Sequence, residues 1–461
     1  MKKLILYTIL LVIFMALLSC YWISGNAVSN ITLNLSGVSA KGPGDQYARV
    51  YLLADNKIYT LREGREYVEI LIPESNPEIR LTLEDIPIGP TYRVWLSIGT
   101  EQSGGWFLTD YWAESKTFEL SPGQEIIAPF TEAELFSNPV FQPNWNAMGK
   151  SLKGVVVDEV NNIITADEAT MYWSVSYFGT FTPETLPSGY TVNSIDSGVD
   201  VQIPSSKQTW LNTNRGILPI VDLTFTTEST DFSSALGAVS VLGSAGRETG
   251  FSDAVWFFRN GGLGGVDIDS DIAPSPESWP WVNLDGDRVY DCLVAYPGDG
   301  YFATSDGAFR LPRAFLQDPT PSIDEHKQPL TTPRKVFSWG LIDQSGDGDT
   351  LFMGTDDGAW YAQMNAGEFL ESPKLEPGTT GHSIRMIAIS DFWPTFKAYL
   401  SDSYIFIWDG VNLTSKRYPL CAGLPGRVTG MAWYRTGAAT VFTYLIVAGE
   451  YGLVYLLVAV G

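Results

Sequence analysis

One short stretch of the chain combines carboxylates, a hydroxyl and glycines at a spacing that suits a metal ion. Its oxygen-bearing side chains alternate along seven residues and belong to Asp343, Ser345, Asp347 and Asp349. A loop of this kind can wrap a calcium ion, which takes about 6–8 oxygen ligands. Aspartate and glycine also favour ordinary turns. The loop is therefore a candidate calcium site, with a plain turn as the alternative.

Other acidic stretches add weaker candidates. The first loop resembles the calcium loops of propellers such as the integrin type, but Leu351 stands where that pattern has its final carboxylate. A second, imperfect match runs from Asn283 to Asp287 and is followed by Asp291. A third acidic group opens a longer segment that continues through Trp279 to Trp281 and suits either a binding loop or a solvated one. That group consists of Asp267, Asp269 and Asp271.

Catalytic chemistry has little support in the residue types. The chain has two histidines, His326 and His382, which excludes a multi-histidine metal site within one chain, and neither lies in a recognisable catalytic motif. The stretch from Thr355 to Trp360 resembles the Asp-box of sialidases, but it is one residue short, and such boxes are structural. The 52 acidic residues can form carboxylate pairs in many ways, so they identify no glycosidase site. No catalytic residue is predicted.

The N-terminal residues predict export. Lys2 and Lys3 form a charged start, and residues 4–18 form an apolar run that ends just before Ser19 and Cys20. This run is short for a membrane-spanning helix, which needs about 20 residues.

The tetrapeptide Leu17-Leu18-Ser19-Cys20 resembles a bacterial lipobox. The resemblance implies that the Cys20 thiol receives a diacylglyceryl group, that the signal is cut just before it, and that membrane lipid is a partner of the acylated chain. Tyr21 follows the cysteine, so the aspartate that retains many such proteins in the inner membrane is absent. The outer membrane or cell surface of a bacterium is the expected location. An ordinary secretory signal, or a signal anchor with a chance cysteine, is the alternative.

Composition limits the fold class and the partners. A chain of 461 residues with 45% hydrophobic and 18% charged residues suits a folded protein of two or three domains. The 44 glycines and 27 prolines, without long helical periodicity, favour an all-β fold. A formal net charge of −23 argues against binding nucleic acid. Cys292 and Cys421 either pair in a disulfide or remain buried thiols, because the sequence does not show whether their Cα atoms lie within about 7 Å.

A repeated hairpin pattern predicts a β-propeller. In Thr350 to Met364, an apolar run leads into a turn ending at Gly358 and then into a second, aromatic strand. Relatives of this stretch recur at intervals of about 45 to 53 residues, as in propellers, whose blades bury their faces against neighbouring blades. They lie around Ala254, Gly307, Ser403 and Gly452. A β-sandwich or β-helix with coincidentally spaced turns is the alternative.

The hairpins resemble the degenerate repeats of bacterial sensory and extracytoplasmic propellers, and this resemblance implies a fold rather than a function. The remaining length suits six or seven blades, with seven favoured. A further hairpin turn is predicted at Ala166–Ala169. The long interval between it and the Ala254 repeat holds either a degenerate blade with its turn at Asn212–Gly216 or a long insertion. Apolar segments just before Asp343, Asp391 and Arg435 are predicted to be inner strands. The final apolar strand is expected to pair with a strand near the start of the domain, because an unpaired edge there would promote aggregation.

The residues before the propeller predict an N-terminal β-sandwich. Six segments alternate apolar and polar residues, as strands with one solvated face do. They are residues 31–38, 48–55, 67–73, 79–86, 92–99 and 116–130. Their order resembles transthyretin-like or carboxypeptidase-regulatory-like modules, which are accessory domains. With Pro139–Trp145 as the linker, the predicted organisation is a signal peptide in residues 1–20, a sandwich in residues 21–137 and a propeller in residues 138–461.

These features predict a non-catalytic, membrane-anchored extracytoplasmic lipoprotein. Its propeller would serve as a platform that binds a protein or a glycan, and the fold alone does not name that partner. The alternative is a carbohydrate-active enzyme that uses the central funnel of the propeller.

Overall fold

A computed structural model describes most of the chain after residue 27. The described residues are 28–34, 46–61, 64–72, 80–102, 105–121, 126–129, 136–137, 141–158, 160–200, 209–225, 241–248, 254–259, 262–267, 281–283, 288–295, 298–317, 328–329, 335–342, 349–365, 368–390, 396–408, 415–437 and 441–460. No helix in this part of the chain is long and apolar enough to cross a membrane. The chain divides into two compact units, Met1–Glu101 with Leu108–Pro139, and Gln102–Phe107 with Val140–Gly461.

The first unit contains two sheets formed by the first ten described strands. The strands are β1 (Val28–Asn34), β2 (Gln46–Ala54), β3 (Lys57–Ile58), β4 (Tyr67–Ile72), β5 (Arg80–Pro87), β6 (Thr91–Glu101), β7 (Phe107–Glu114), β8 (Phe118–Glu119), β9 (Ile126–Pro129) and β10 (Phe136–Ser137). The smaller sheet has the order β5-β1-β9. The larger one has the order β10-β7-β6-β2-β3, with β4 also paired to β2 and β8 to β6.

The two sheets share one apolar core, which confirms the predicted β-sandwich. Ile31 and Leu83 of the smaller sheet belong to the same buried cluster as Val50 and Leu96 of the larger sheet. The alternating sequence pattern predicts this arrangement, because every second side chain of a strand points to the same face.

Two details of the sandwich differ from the sequence-based prediction. Residues 116–130 are not one strand, because β8 joins the larger sheet while β9 pairs in parallel with β1 of the smaller one. The break contains Pro122 and Gly123, residues that interrupt strands. The strand β7 adds to the six predicted segments, and its Trp112 is buried.

The second unit contains seven sheets with four or five described strands each. The unit begins with the short strand β11 (Gln142–Pro143), and the sheets are numbered as blades in chain order. Blade 1 contains β12 (Val155–Val157), β13 (Ile163–Ala166), β14 (Thr170–Ser174) and β15 (Thr182–Thr185), and blade 2 contains β16 (Val192–Ser197), β18 (Thr209–Thr213), β19 (Gly216–Val221) and β20 (Thr224–Phe225). Blade 3 contains β17 (Val199–Asp200), β21 (Gly243–Glu248), β22 (Ala254–Arg259), β23 (Gly262–Asp267) and β24 (Trp281–Asn283).

The remaining four sheets follow in chain order. Their strands are β25 (Val289–Ala295), β26 (Asp299–Thr304), β27 (Gly307–Leu311) and β28 (Gln328–Pro329) in blade 4; β29 (Val336–Ile342), β30 (Thr350–Thr355), β31 (Gly358–Asn365), β32 (Glu368–Phe369) and β33 (Lys374–Leu375) in blade 5; β34 (Ile384–Ile389), β35 (Lys397–Ser401), β36 (Tyr404–Trp408) and β37 (Ser415–Pro419) in blade 6; and β38 (Val428–Arg435), β39 (Phe442–Gly449) and β40 (Gly452–Val460) in blade 7. Short 3-10 helices span Arg313–Gln317 and Leu420–Ala422.

The seven sheets form a closed ring, which makes the second unit a seven-bladed β-propeller. The inner strands are in contact in the order β12, β16, β21, β25, β29, β34, β38 and back to β12. Blade 7 is completed by β11, which pairs antiparallel with β40 at the pairs Gln142–Tyr455 and Pro143–Val454. The expected closure by a strand near the start of the domain is confirmed. The segment interpreted as a linker, Pro139–Trp145, supplies that strand.

Most of the predicted hairpin turns lie at equivalent places in the ring. The turns near Gly307, Gly358, Ser403 and Gly452 each connect the second and third strands of a blade, and the segments before Asp343, Asp391 and Arg435 contain the inner strands β29, β34 and β38. The turns predicted at Ala166–Ala169 and Asn212–Gly216 occupy the same place in blades 1 and 2.

The repeat around Ala254 was placed wrongly. Ala254 pairs with Arg247, so the residues before it lie between the first and second strands of blade 3. The equivalent connection in this blade is the one between Arg259 and Gly262. Serine and aspartate end strands at any turn, so a short motif of these residues does not distinguish the two connections.

Candidate functional site

Hydroxyl side chains explain the most visible sequence repeat. In four blades the last residue of the second strand donates its hydroxyl to the carbonyl oxygen of the residue three positions later. Its hydroxyl oxygen also accepts the N–H of the residue two positions later. The donors are Thr213, Thr304, Thr355 and Ser401, at 2.7, 2.8, 2.9 and 3.1 Å from their carbonyl acceptors. The N–H groups belong to Arg215, Asp306, Asp357 and Ser403. The motif therefore stabilises turns and is structural.

Glycine completes three of these turns. Gly216, Gly307 and Gly358 have φ angles of 112°, 126° and 136°. Side chains other than hydrogen rarely tolerate this backbone region. The pattern of threonine followed three residues later by glycine therefore has a local steric and hydrogen-bonding cause.

The acidic loop predicted to bind calcium is mostly outside the described residues. Asp343, Ser345 and Asp347 belong to that part, while Asp349 is buried and its carbonyl oxygen accepts the N–H of Met364 at 2.8 Å. Within the described part of the chain no cluster of three or more acidic, cysteine or histidine side chains could hold a metal ion. Calcium binding by the loop stays a prediction, which a calcium titration of the melting temperature tests.

Most residues of the other two acidic candidates also lie outside the described part of the chain. Asp285, Asp287, Asp269, Asp271 and the tryptophan at position 279 lie outside the described residues. Asp267 is the last residue of β23, where it pairs with Ala254.

The histidine and cysteine candidates that the structure describes are buried. His382 packs edge-on against Tyr404 and Phe406, with ring centroids 5.5 and 4.9 Å away. His326 lies outside the described residues. Cys292 and Cys421 are free thiols, so the buried-thiol alternative is the one observed. Burial, reinforced by the charges of Asp291 and Asp196, raises the pKa of the Cys292 thiol well above its usual value.

Two aspartates on inner strands connect neighbouring blades. The sequence analysis named Asp291 only as the acid that follows the second calcium match, and it did not single out Asp196. Asp196 of blade 2 accepts the N–H of Ser244 in blade 3 at 3.2 Å. Asp291 of blade 4 accepts the N–H of Trp339 in blade 5 at 2.9 Å. Asp196 also accepts a 2.5 Å hydrogen bond from the amide of Asn212. These carboxylates therefore hold the inner strands of adjacent blades together.

The two N–H donors occupy equivalent positions. Ser244 pairs with Phe257 and Trp339 pairs with Met353, and each partner lies two residues before the end of its strand. The two aspartates reach these N–H groups from opposite sides along the strand direction. Asp196 pairs with Trp210, three residues before the end of β18, whereas Asp291 pairs with Ala303, one residue before the end of β26. A charged residue inside an apolar strand is the sequence signal that could have revealed them.

An exposed aromatic loop lies between β14 and β15 of blade 1. Phe178 is 37% exposed, and Val175 of the same loop is 67% exposed. Phe178 has a φ of 55°, a left-handed conformation that is uncommon for a bulky residue and costs about 1–3 kcal/mol. Its ring centroid lies 4.5 Å from that of Tyr455 in blade 7. Such strain persists only where surrounding contacts hold the residue in place.

Tyrosines of blade 7 hold this loop. The Tyr177 ring stacks on Tyr444 with centroids 5.0 Å apart, and the main chain of Tyr177 hydrogen-bonds Tyr434. Tyr455 bonds the main chain of Phe178 and accepts the amide of Asn144 at 2.9 Å. Burial raises the pKa values of Tyr444 and Tyr455 to about 12. We call the loop Val175–Gly179 the aromatic loop.

No protein-family model and no curated protein matches the sequence. Solved structures do show similarity. The chain resembles a structure named as the extracellular domain of the hybrid two-component system BT4673 from B. thetaiotaomicron, with 12% identity, a TM-score of 0.44 and coverage of 69% of this chain and 39% of that one. YCF48 from Cyanidioschyzon merolae gives 10% identity, a TM-score of 0.43 and coverage of 67% and 96%. A chain of the Mitotic Checkpoint Complex gives 11% identity, a TM-score of 0.45 and coverage of 74% of this chain and 99% of that one.

The present chain thus matches well under half of the BT4673 domain, and the same 39% share applies to a second structure of it. The assignment of the propeller rests on the pairing and ring closure of this chain's own strands.

Proposed function

We propose that this protein is a non-catalytic, lipid-anchored protein of the bacterial cell envelope whose propeller binds a protein or a glycan. The observation that carries the binding role is the aromatic loop, in which an exposed and strained phenylalanine is held rigidly by blade 7. A rigid aromatic side chain offers a large contact area at a small cost in conformational entropy, which is why such residues recur at binding surfaces.

Membrane attachment belongs to the same proposal and is supported by the N-terminal sequence. The lipobox-like Leu17-Leu18-Ser19-Cys20 follows a charged and apolar leader. Two or three acyl chains give stable anchoring, because each buried CH₂ group contributes about 0.8 kcal/mol. The outer membrane or cell surface is the proposed location, since Tyr21 follows the cysteine.

The hydrogen bonds of the two inner-strand carboxylates, Asp196 and Asp291, assign them a role in joining blades. In the described part of the ring, both oxygens of Asp291 accept main-chain N–H groups, from Cys292 and Trp339. Asp196 accepts three hydrogen bonds on one oxygen. An acid or base in glycoside hydrolysis must instead reach the glycosidic oxygen or a water molecule.

The anchoring proposal is tested by metabolic labelling with palmitate. We expect the wild-type chain to carry the label and Cys20→Ala to lose it and remain unprocessed or be released. Equal labelling of both chains would contradict lipid attachment at Cys20.

The binding proposal is tested with Phe178→Ala and a matched control. Val160 is 66% exposed in the same blade, and Val160→Ala removes apolar surface away from the aromatic loop. Binding of the purified variants to a glycan array and to cell-envelope proteins is compared after melting curves have shown that both fold. We expect Phe178→Ala to weaken binding about tenfold or more, as loss of a central aromatic contact does. Equal binding by the two variants would exclude the aromatic loop as the binding surface.

A further inference from the structure

The inner strands of five blades share a β-bulge close to their first residue. In each of them the register to the second strand shifts between the first and the third residue. A bulge redirects a side chain, and bulges recur beside functional sites. The residues at the five bulges are Asn193, Tyr290, Phe337, Arg385 and Thr429.

All five bulges lie at one end of the propeller. The first residue of each of these inner strands pairs with the last residue of the second strand, as Val289 does with Thr304. The turns between second and third strands therefore lie at the same end, which we call the entry face. The aromatic loop follows the third strand of blade 1, so it lies at the opposite end of the ring.

Four exposed basic residues lie at the entry face. Arg288, Lys335 and Arg427 each stand directly before the first residue of an inner strand, in blades 4, 5 and 7. Arg215 belongs to the turn between β18 and β19 of blade 2. Within the described part of the chain no carboxylate forms an ion pair with any of these four side chains. They are therefore available to an anionic ligand.

Aromatic rings support several guanidinium groups at this face. The guanidinium carbon lies 5.5, 5.5 and 3.9 Å from the ring centroid in the stacked pairs Arg215 on Tyr190, Arg288 on Tyr290 and Arg385 on Phe337. The Tyr290 and Phe337 centroids are 5.3 Å apart, so the bulges of blades 4, 5 and 6 form one continuous row.

Arg385 shows what a stacked guanidinium can bind. While its face covers Phe337, its Nε and Nη2 atoms donate to the two carboxylate oxygens of Asp402 at 2.7 and 3.2 Å. The planar fork of an arginine matches a carboxylate in this way. Arg288 is stacked in the same manner on Tyr290, but no carboxylate of the described residues pairs with it.

Exposed carboxylates lie beside these cations, farther from the axis of the ring. Asp306, Asp357 and Glu450 belong to the turns between the second and third strands of blades 4, 5 and 7. The N–H of Glu450 donates to the carbonyl oxygen of Arg427 at 3.2 Å, so the two residues are direct neighbours. The entry face thus presents cations near the axis and carboxylates around them.

We propose that the entry face is a further binding surface, independent of the aromatic loop, and that its ligand is an acidic polysaccharide whose sugars carry carboxylate groups. The inner cations, above all Arg288, pair with the sugar carboxylates. The outer carboxylates accept hydrogen bonds from sugar hydroxyls. An acidic peptide would instead place its own side-chain carboxylates against those of the turns.

The formal net charge of −23 does not oppose this local attraction. At physiological ionic strength, charges farther apart than about 8 Å are largely screened, so the groups nearest the ligand dominate. The same screening predicts that added salt weakens the binding.

The test is binding of the purified full-length protein to polygalacturonate, alginate and hyaluronate, with neutral dextran and polyglutamate alongside. We expect binding to at least one acidic polysaccharide that weakens with salt, and none to dextran. Arg288→Ala should weaken this binding about tenfold, because a hydrogen-bonded charge pair contributes about 1.5–3 kcal/mol. Arg288→Lys should bind with intermediate affinity, since it keeps the charge without the planar fork.

The matched control is Lys374→Ala, which removes an exposed positive charge from an outer strand of blade 5. After melting curves have shown that the variants fold, Lys374→Ala should bind like the wild type. Equal binding by Arg288→Ala and Lys374→Ala, or no binding to any of the three acidic polysaccharides, would overturn the proposal. Tight binding to polyglutamate that Arg288→Ala abolishes would make the ligand an acidic protein instead, contrary to the proposal.

Phe178→Ala separates this surface from the aromatic loop. Because Phe178 lies at the opposite end of the ring, we expect this variant to bind acidic polysaccharide as the wild type does. If Phe178→Ala loses the binding while Arg288→Ala keeps it, the polysaccharide binds at the aromatic loop and the entry-face proposal is wrong.

Discussion

The hairpin turns and the inner strands of the propeller are both held by polar side chains, but over very different distances along the chain. The Thr355 hydroxyl bonds a carbonyl three residues away, whereas Asp291 bonds an N–H 48 residues away. The turn recurs with the same chemistry in four blades. The inter-blade contacts differ from blade to blade, as Asp196 and Asp291 approach equivalent N–H groups from opposite sides.

The comparison shows why one device is repeated and the other is not. The polar main-chain groups of a turn find their partners within its own four residues, so the same side chains are needed in each turn. A contact between inner strands can be made by any side chain that reaches, and at blades 6 and 7 the Trp433 indole N–H donates to the Ala388 carbonyl at 3.0 Å. We therefore expect substitutions at contacts between blades to lower the unfolding free energy more than substitutions in the turns do. We also expect their effects to differ more from blade to blade.

We expect the largest loss of stability where the main chains of two neighbouring blades come close together at a glycine. A Cβ on Gly430 of β38 would lie 2.7 Å from the main-chain nitrogen of Val155 and 2.8 Å from the Cα of Gly154, both in the neighbouring blade. Main-chain atoms cannot rotate away, so we expect Gly430→Val to lower the unfolding free energy by about 3 kcal/mol. Urea unfolding measures this.

The control for this prediction lies in the same blade. A Cβ on Gly437 would meet no heavy atom within 4 Å, so Gly437→Ala should leave stability nearly unchanged. If Gly430→Val is as stable as Gly437→Ala, the close approach of blades 7 and 1 is not a constraint on the ring.

A smaller effect is expected from a turn. Thr355→Val removes the hydroxyl that donates to the Gly358 carbonyl and accepts the Asp357 N–H, and Thr355 is 1% exposed. Buried polar groups that lose a partner cost about 1–3 kcal/mol, so we expect a loss of about 2 kcal/mol. Thr355→Ser keeps the hydroxyl, as Ser401 does in blade 6, and should lose much less. Equal losses in the two variants would assign the effect to the methyl group instead.

The smallest effect is expected at a solvated ion pair within one blade. Arg385 and Asp402 are 2.7 Å apart, with side chains 43% and 31% exposed. Exposed pairs contribute about 0–1 kcal/mol and are screened by salt, so Asp402→Asn should change the melting temperature by little and less still at high salt. If Asp402→Asn lowered stability as much as Thr355→Val, exposure to solvent would not distinguish the ion pair from the buried hydrogen bonds of the turn.

Sequence alone determined what depends on near neighbours. Alternating strands predicted the sandwich, the recurring turn predicted the propeller, and chain length favoured the seven blades that the ring contains. Where it failed, the local signal was ambiguous. The Ala254 repeat marks the start of the second strand of its blade instead of the connection to the third, and the segment 116–130 contributes strands to two different sheets.

The tertiary structure decided which distant residues meet. Pro143 lies in a segment with the composition of a linker, and its role as part of the closing strand depends on Val454, far along the chain. The pKa values of Asp196 and Asp291 depend on burial by neighbouring blades, and the strain at Phe178 depends on tyrosines of blade 7. These properties arise only when the ring closes, because burial and long-range hydrogen bonds have no counterpart in the local order of residues.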